Sequence, residues 1–169
     1  QIKTLDSLIT NILLSDKMAS AYSNLNIEEI KAIVLINKSL ELTSIKNVEI
    51  NVDKKMVLNV DVVKSSVAIK NLIENAYKYS PKDSTIYVSS QKTLDKKIIS
   101  VVDSGPGIPK EHIEKITKAF VRVPGSKESG FGLGLSICHK VMVAHGGFLK
   151  IKNIKTGGAC FSLHFPADK

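Results

Sequence analysis

The stretch that most constrains the fold is NLIENAYKYS, residues 71–80, which ends an amphipathic pattern that begins near Asp61. In a helix of 3.6 residues per turn, Asn71, Asn75 and Lys78 lie at positions i, i+4 and i+7 and share one face. The opposite side is apolar and suited to burial against a sheet: Ile69, Leu72, Ile73 and Ala76. Carboxamide oxygens coordinate Mg²⁺, and an ammonium group attracts phosphate. The polar face is therefore either a ligand site or an ordinary solvated surface, and this stretch alone leaves both open.

Length and composition indicate one globular domain, or one domain with an appendage. The chain has 169 residues, of which 43% are hydrophobic and 24% are charged. No segment has the pattern of a membrane span, and no leading stretch is typical of a signal peptide. Because the chain opens directly into an amphipathic pattern, we interpret it as a piece of a longer protein. Cys138 and Cys160 lack a metal-binding spacing, which favours reduced, cytoplasmic thiols.

The net charge of +8 raises the question of nucleic-acid binding. All but one of the 24 basic residues are lysines, spread from Lys3 to Lys169 without an arginine-rich run or interleaved aromatic residues. This distribution favours a solvated lysine surface, so we expect no nucleic-acid partner. The one arginine, Arg122, stands apart because its planar guanidinium suits phosphate.

The hydrophobic pattern predicts the order of the elements. Residues 1–18 carry apolar residues at the spacing of a helix seam, and residues 19–25 are typical of a linker. Asn26 followed by Glu29 has the form of a capping box and predicts a helix to about Ile45. Further helices are predicted at about 61–80, 109–117 and from the glycine run near 130 to Gly146. Strands are predicted at about 48–52, 56–60, 84–92, 97–103, 148–154 and 159–165.

The motif DSGPGIP, residues 103–109, follows directly on a predicted strand. An ionised Asp103 only accepts hydrogen bonds, so it selects a ligand edge that donates, such as the exocyclic amine of adenine, and disfavours the carbonyl of guanine. Gly105 and Gly107 leave room for a flat ring against the backbone. The alternative is a common turn between a strand and a helix, and the motif alone does not exclude it.

The motif GFGLGL, residues 130–135, leads into a helix. Free backbone amides at a helix start, together with the helix dipole, form an anion site suited to a triphosphate. The motif lacks the GK[ST] ending of the other common phosphate loop, and no strand precedes it as in a dinucleotide fold. A flexible turn explains the glycines nearly as well, so the order of the motifs carries more weight than any one of them.

In that order, the chain resembles the catalytic and ATP-binding domain of bacterial sensor histidine kinases, in the superfamily that also holds DNA gyrase and mismatch-repair ATPases. NLIENAYKYS resembles the N box, DSGPGIP the G1 box, FVRVP the F box and GFGLGLSI the G2 box. The resemblance implies an α/β fold of the Bergerat type: a two-layer α/β sandwich with a mixed sheet of about five strands and three main helices on one face. It also implies that residues 1–18 end a dimerisation and phosphotransfer helix, that 19–25 is a linker and that 26–169 is the catalytic domain.

The resemblance also implies roles for individual residues. Asn75 would hold Mg²⁺, Asn71 would support the phosphate and metal side, and Asp103 would bind the adenine amine. Catalysis would rest on Asn71, Lys78 and Arg122, the last of these on a loop that acts as a lid. The residues implied in binding ATP are Asn71, Asn75, Lys78, Tyr79, Asp103, Gly105, Gly107, Ile108, Phe120, Arg122, Gly130, Gly132, Leu133, Gly134 and Leu135.

Three departures from the family pattern limit what is expected. Relatives that hydrolyse ATP with water have Glu where this chain has Asn71, so we expect slow hydrolysis. Many relatives have a hydroxyl residue near Ala159, whose contact must here come from water or backbone. None of the four histidines lies in the family's His-Glu or His-Asp pattern on a leading helix, so we expect the acceptor histidine upstream.

The function implied is transfer of the γ-phosphate of Mg-ATP to that histidine, for relay to a response regulator. The parent protein would be a homodimer through its own dimerisation domain, with this domain in the cytoplasm and an anchor in the bacterial inner membrane. Two alternatives remain open: a serine kinase of the anti-sigma type, which needs no leading hydrophobic seam, and a docking module that has lost ATP binding.

Overall fold

The computed structural model describes residues 24–118, 121–125 and 132–167. The predicted leading helix at 1–18 and most of the predicted linker lie outside these residues. The described strands are β1 (Ile27–Lys31), β2 (Val48–Asn51), β3 (Val57–Asp61), β4 (Ile86–Lys92), β5 (Lys96–Val102), β6 (Phe148–Asn153) and β7 (Ala159–Pro166). The described helices are α1 (Ala32–Glu41), α2 (Val62–Tyr79), α3 (Lys110–Ile113) and α4 (Gly134–Ala144).

Five of the strands form one mixed sheet, in the order β2-β4-β5-β7-β6. The pair β2–β4 is parallel and the other three pairs are antiparallel. The strand β7 lies between β5 and β6 and carries aromatic and other apolar residues. It is buried over most of its length, as expected for a strand with a neighbour on each side. The predicted mixed sheet of about five strands is confirmed.

Helices α1, α2 and α4 pack against the sheet and complete a two-layer α/β sandwich. The helix α2 lies between the other two and contacts both. The largest fully buried side chains come from both layers: Phe161, Leu35, Ile36, Leu58, Ile69, Leu72, Ile73, Ile86, Ile99, Ile137, Met142 and Leu163. Because α2 buries one side in this core, its other sides are fixed in direction, which is what positions the polar face.

The start of α2 is capped as the sequence predicts. The side chain of Asp61 accepts a hydrogen bond from the backbone N–H of Lys64 at 3.0 Å, which satisfies one of the free amides of the first turn. The end of α4 also agrees with the prediction, because Gly146 follows it with φ of +69°.

The predicted helix from Asn26 to Ile45 is wrong at both ends. Residues 27–31 form β1, which pairs antiparallel with β3 in a separate two-stranded sheet, and the helix runs only from Ala32 to Glu41. Asn26 does not cap a helix: its backbone N–H donates to Asp61 Oδ2 at 3.1 Å. The strand β3, 30 or so residues away, supplies backbone partners that outweigh the local capping signal.

Two elements, β4 and α3, are shorter than predicted, and the reason for β4 is local. Strand β4 begins at Ile86 rather than 84, because the Ser84 N–H bonds back to the Pro81 carbonyl in a turn. The helix α3 ends at Ile113, and residues 114–117 continue as turns rather than as helix. Within the described residues, no helix is both long enough and apolar enough to cross a membrane.

Candidate functional site

The polar face of α2 is present as predicted. Asn71, Asn75 and Lys78 are all partly exposed, whereas Leu72 and Ala76 on the other side are fully buried. The Lys78 ammonium lies 5.0 Å from the centre of the neighbouring Tyr79 ring, within cation–π range. Two carboxamides and one ammonium therefore stand in line along a helix whose rotation the core fixes.

The start of α4 lies beside this face. Asn71 Nδ2 is 3.5 Å from the Gly134 carbonyl oxygen, and a Cβ on Gly134 would lie 3.7 Å from the Asn71 Cβ. The backbone N–H of Ile137 donates to the Leu133 carbonyl, so the amides before it lack an intrahelical partner. The structure thus brings the positive end of α4 to the polar face of α2, as an anion site between them requires.

Asp103 lies just past the end of β5 and is 5% exposed. Within the described residues, both hydrogen bonds to this carboxylate reach Oδ1, from the N–H groups of Gly105 at 2.9 Å and Ala159 at 3.0 Å. Burial raises the pKa of Asp103, and these two hydrogen bonds act against that rise. Oδ2 is left to accept from a ligand.

The first glycine turn, residues 103–108, packs closely on the end of α2. A Cβ on Gly105 would lie 2.6 Å from the Tyr79 carbonyl oxygen, closer than any side chain tolerates. Beside it, Ser80 Oγ accepts a hydrogen bond from the Ser104 N–H at 3.0 Å. Gly105 is therefore required by its contact with the helix, and the turn that carries Asp103 is fixed to the same helix that carries the polar face.

The β6–β7 turn, residues 153–158, also belongs to this site, although the sequence motifs did not predict it. Asn153 Oδ1 accepts from the Ile108 N–H, and Asn153 Nδ2 donates to the Ile108 carbonyl. A Cβ on Gly158 would lie 2.1 Å from the Asp103 carbonyl oxygen. The pair Gly157–Gly158 before the last strand was the available signal, because adjacent glycines inside a hairpin indicate a close backbone approach.

Some of the remaining predicted site residues are described by the structure and others are not. Phe120 and Gly130 lie outside the described residues, so their predicted roles stay predictions. Leu133 is buried and Leu135 packs against the core, in positions beneath the start of α4. Arg122 lies partly buried within 121–125, and its approach to a phosphate remains a prediction. Gly132 directly precedes the buried Leu133.

Among the described residues, the acids and histidines outside this site do not form a second centre. Glu74 pairs with Lys70 at 3.2 Å on the helix surface, as expected for an acid turned away from Asn75. His145 is the C-cap residue of α4. In the described part of the chain, no group of three or more His, Cys, Asp or Glu residues could hold a metal ion. Cys138 and Cys160 are free and buried.

The geometry can be compared with known proteins. A family model described as "Histidine kinase-, DNA gyrase B-, and HSP90-like ATPase" matches residues 61–169, which is more than half of the chain. The chain belongs to this family. The matched range contains α2, the first glycine turn and α4, so these elements form the family's ATP-binding domain in this chain.

The curated relatives are histidine kinases. The adaptive-response sensory kinase SasA of Rippkaea orientalis is 30% identical over 98% of this chain and 45% of its own length. The hybrid signal transduction histidine kinase D of Dictyostelium discoideum is 33% identical over 94% of this chain and 11% of its own length. The chain spans less than half the length of these relatives.

Solved structures with the same fold are also histidine kinases. The mycobacterial sensor histidine kinase MprB superposes with a TM-score of 0.73 at 26% identity, over 83% of this chain and 97% of its own. The catalytic domain of histidine kinase ThkA gives 0.73 at 28%, over 84% and 96%. Full-length ShkA in complex with AMPPNP gives 0.81 at 23%, over 98% and 36%, which is a likeness of fold alone.

Proposed function

We propose that this chain binds Mg-ATP and presents its γ-phosphate to a histidine on a helical dimerisation domain, for relay to a response regulator. The observation that supports the proposal is the approach of the start of α4 to Asn71 on the polar face of α2, with Asp103 at the start of the adjoining first glycine turn. Asp103 accepts hydrogen bonds, as recognition of the adenine amine requires, whereas Lys78 and the helix amides attract anions, as binding of the phosphates requires.

At the base end, Oδ2 of Asp103 accepts from the exocyclic amine of adenine. At the phosphate end, the first amides of α4 and the ammonium of Lys78 neutralise negative charge. Arg122 is assigned to the γ-phosphate. Transfer then depends on position and charge, which is the general requirement of phosphoryl transfer.

The residues present fit a Mg²⁺ ion that arrives with the nucleotide. Because the described residues hold no cluster of acidic or imidazole ligands, the ion would keep phosphate oxygens and waters, with a carboxamide oxygen of Asn75 as its protein ligand. The ion would neutralise charge on the phosphates. Asn71 stands near the same position and cannot take a proton, which disfavours activation of water. An acceptor imidazole is itself nucleophilic and needs no base from this domain.

Transfer of ³²P from labelled ATP to a separately produced helical domain tests the proposal. That domain is the one that the proposal places upstream of Gln1 in the parent protein. The expected product is labelled on that domain, stable in base and lost in acid, as phosphohistidine is. An acid-stable label would indicate the serine-kinase alternative, and a chain that binds no fluorescent ATP analogue would indicate the docking module.

The further parts of the proposal concern the whole protein. A homodimer, a response-regulator partner and an anchor in the inner membrane are expected by resemblance. They remain predictions for the parent protein.

A further inference from the structure

Asn153, the last residue of β6, engages both backbone groups of one residue in the first glycine turn. Its Oδ1 accepts from the Ile108 N–H at 2.8 Å, and its Nδ2 donates to the Ile108 carbonyl at 2.6 Å. A neighbouring strand would make the same pair of bonds through its backbone. Here one exposed side chain replaces that strand, at the end of the turn farthest from Asp103.

The glycine beside Ile108 fits the same contact. Gly107 has φ of +78°, and a Cβ there would lie 2.9 Å from Asn153 Oδ1. The other end of the turn is fixed to β7, where Asp103 and Ala159 exchange two hydrogen bonds: the Asp103 N–H donates to the Ala159 carbonyl, and the Ala159 N–H donates to Asp103 Oδ1. The first glycine turn and the β6–β7 turn therefore form one unit. They are joined at Asp103 by its backbone N–H and its carboxylate, and at Ile108 by the Asn153 side chain.

We infer that Asn153 is a positioning residue for the base, and that it sharpens the preference for adenine without touching the nucleotide. The inference rests on the proposed function. A single hydrogen bond from the purine amine to Asp103 discriminates only if the ring lies at a fixed place against the turn. Asn153 fixes the part of the turn that Asp103 does not, so its loss lets the ring move relative to the carboxylate.

Calorimetry with ADP and with IDP tests this, because the two differ by an amine or a carbonyl at the atom that Asp103 reads. For Asn153→Ala we expect the affinity for ADP to fall about tenfold, as the loss of a pair of modest hydrogen bonds implies. The affinity for IDP is expected to fall less, so the ratio of ADP affinity to IDP affinity decreases. Asn59→Ala is the matched control, since Asn59 is exposed on β3 and makes no side-chain hydrogen bond with the described residues.

A purely structural role would give a different result. If Asn153→Ala lowers the melting temperature but keeps the wild-type ratio of ADP to IDP affinity, the inference is overturned. An equal fall for both nucleotides also overturns it. If the alanine variant does not fold, Asn153→Asp is the second variant, because Asp has the same shape. It keeps the acceptor for the Ile108 N–H and loses the donor to the Ile108 carbonyl. This variant must still lower the ratio of ADP affinity to IDP affinity. A wild-type chain that binds neither nucleotide refutes the proposed function instead.

Discussion

The carboxylate of Asp103 has two oxygens in different surroundings. Oδ1 accepts from the N–H groups of Gly105 and Ala159, while Oδ2 accepts no hydrogen bond from the described residues and is available to a ligand. Burial makes the charge costly and raises the pKa of this residue, and the two backbone bonds offset part of that cost. One side chain is thus fixed by the fold through one oxygen and free for recognition through the other.

Replacing Asp103 by Asn tests this division directly. Because Oδ1 accepts from Gly105 and Ala159, the amide oxygen of Asn must take its place and the NH₂ group must point where Oδ2 was. We expect Asp103→Asn to weaken ADP binding by about 10- to 100-fold, the range for a hydrogen bond to a charged group, and to strengthen IDP binding relative to ADP. Competition between the two nucleotides measures this. Unchanged preference would show that Asp103 does not read the base.

Lys78 is the residue on which the phosphate end can be tested. Its ammonium lies beside Tyr79 near the end of α2, on the face it shares with Asn71 and Asn75. We expect Lys78→Gln to weaken binding of a non-hydrolysable ATP analogue about tenfold and adenosine not at all, since a lost charge pair affects only the phosphates. Lys82→Gln, an exposed lysine just past the helix, controls for net charge. Equal effects of the two variants would contradict the assignment.

At the level of elements, the sequence predicts best where one signal acts locally. The cap at Asp61, the polar face of α2 and the end of α4 at Gly146 depend on residues within a turn or two of each other, and the structure has all three. The strand β1 was missed because its partner β3 is distant in sequence and because IEEIK lacks the alternation of a half-buried strand. Asn153 was missed for a similar reason: its two bonds cross 45 residues.

Two adjacent glycines in the β6–β7 turn allow the cost of backbone strain to be measured separately from the cost of a steric clash. Gly157 and Gly158 both have positive φ, +107° and +87°, but a Cβ meets nothing within 4 Å at Gly157 and lies 2.1 Å from the Asp103 carbonyl oxygen at Gly158. We expect Gly157→Ala to cost about 1 kcal/mol of unfolding free energy, and Gly158→Ala roughly 2–4 kcal/mol. Urea denaturation measures both.

Substitutions at Gly157 and Gly158 are also expected to differ in their effect on ADP binding. Since the collision at Gly158 displaces the backbone that carries Asp103, Gly158→Ala should lose ADP affinity while folded, and Gly157→Ala should keep it. If both variants bind ADP as the wild type does, the β6–β7 turn is not part of the site.

At the scale of the whole domain, one cluster joins the small sheet, α2 and α4. The Asp61 N–H donates to His145 Nε2 at 2.9 Å, and His145 Nδ1 lies 2.7 Å from the Val141 carbonyl. These bonds require the neutral ring with its proton on Nδ1, because Nε2 must accept. The Asp61 side chain bonds to Lys64 and to the Asn26 N–H, so the cluster also holds the start of the described chain.

This cluster predicts how stability depends on pH. Burial lowers the pKa of His145 from its ordinary value near 6.5; hydrogen bonding to Val141 and the charge of Asp61 act against that, and Lys64 adds to it. The unfolded chain therefore takes up the proton first as pH falls, so the stability from this group is complete above about pH 6.5 and declines below it. Asp61 stays ionised throughout this window, because its own pKa is lowered. We expect the urea midpoint to fall between about pH 7.5 and about pH 5.5.

His164 serves as a control that distinguishes the contribution of the His145 cluster from a general loss of stability in acid. Burial and the charges of Lys150, Lys96 and Lys152 lower the pKa of His164 as well, and its ring stacks on Phe148 of the neighbouring strand. Both histidines should contribute to the fall, but only His145 accepts a backbone N–H that protonation must break. We therefore expect His145→Gln to reduce the change in urea midpoint over this range more than His164→Gln does. If His164→Gln removes the larger part, the charge of the lysines, rather than the bond between α4 and the start of α2, sets the stability of this domain in mild acid.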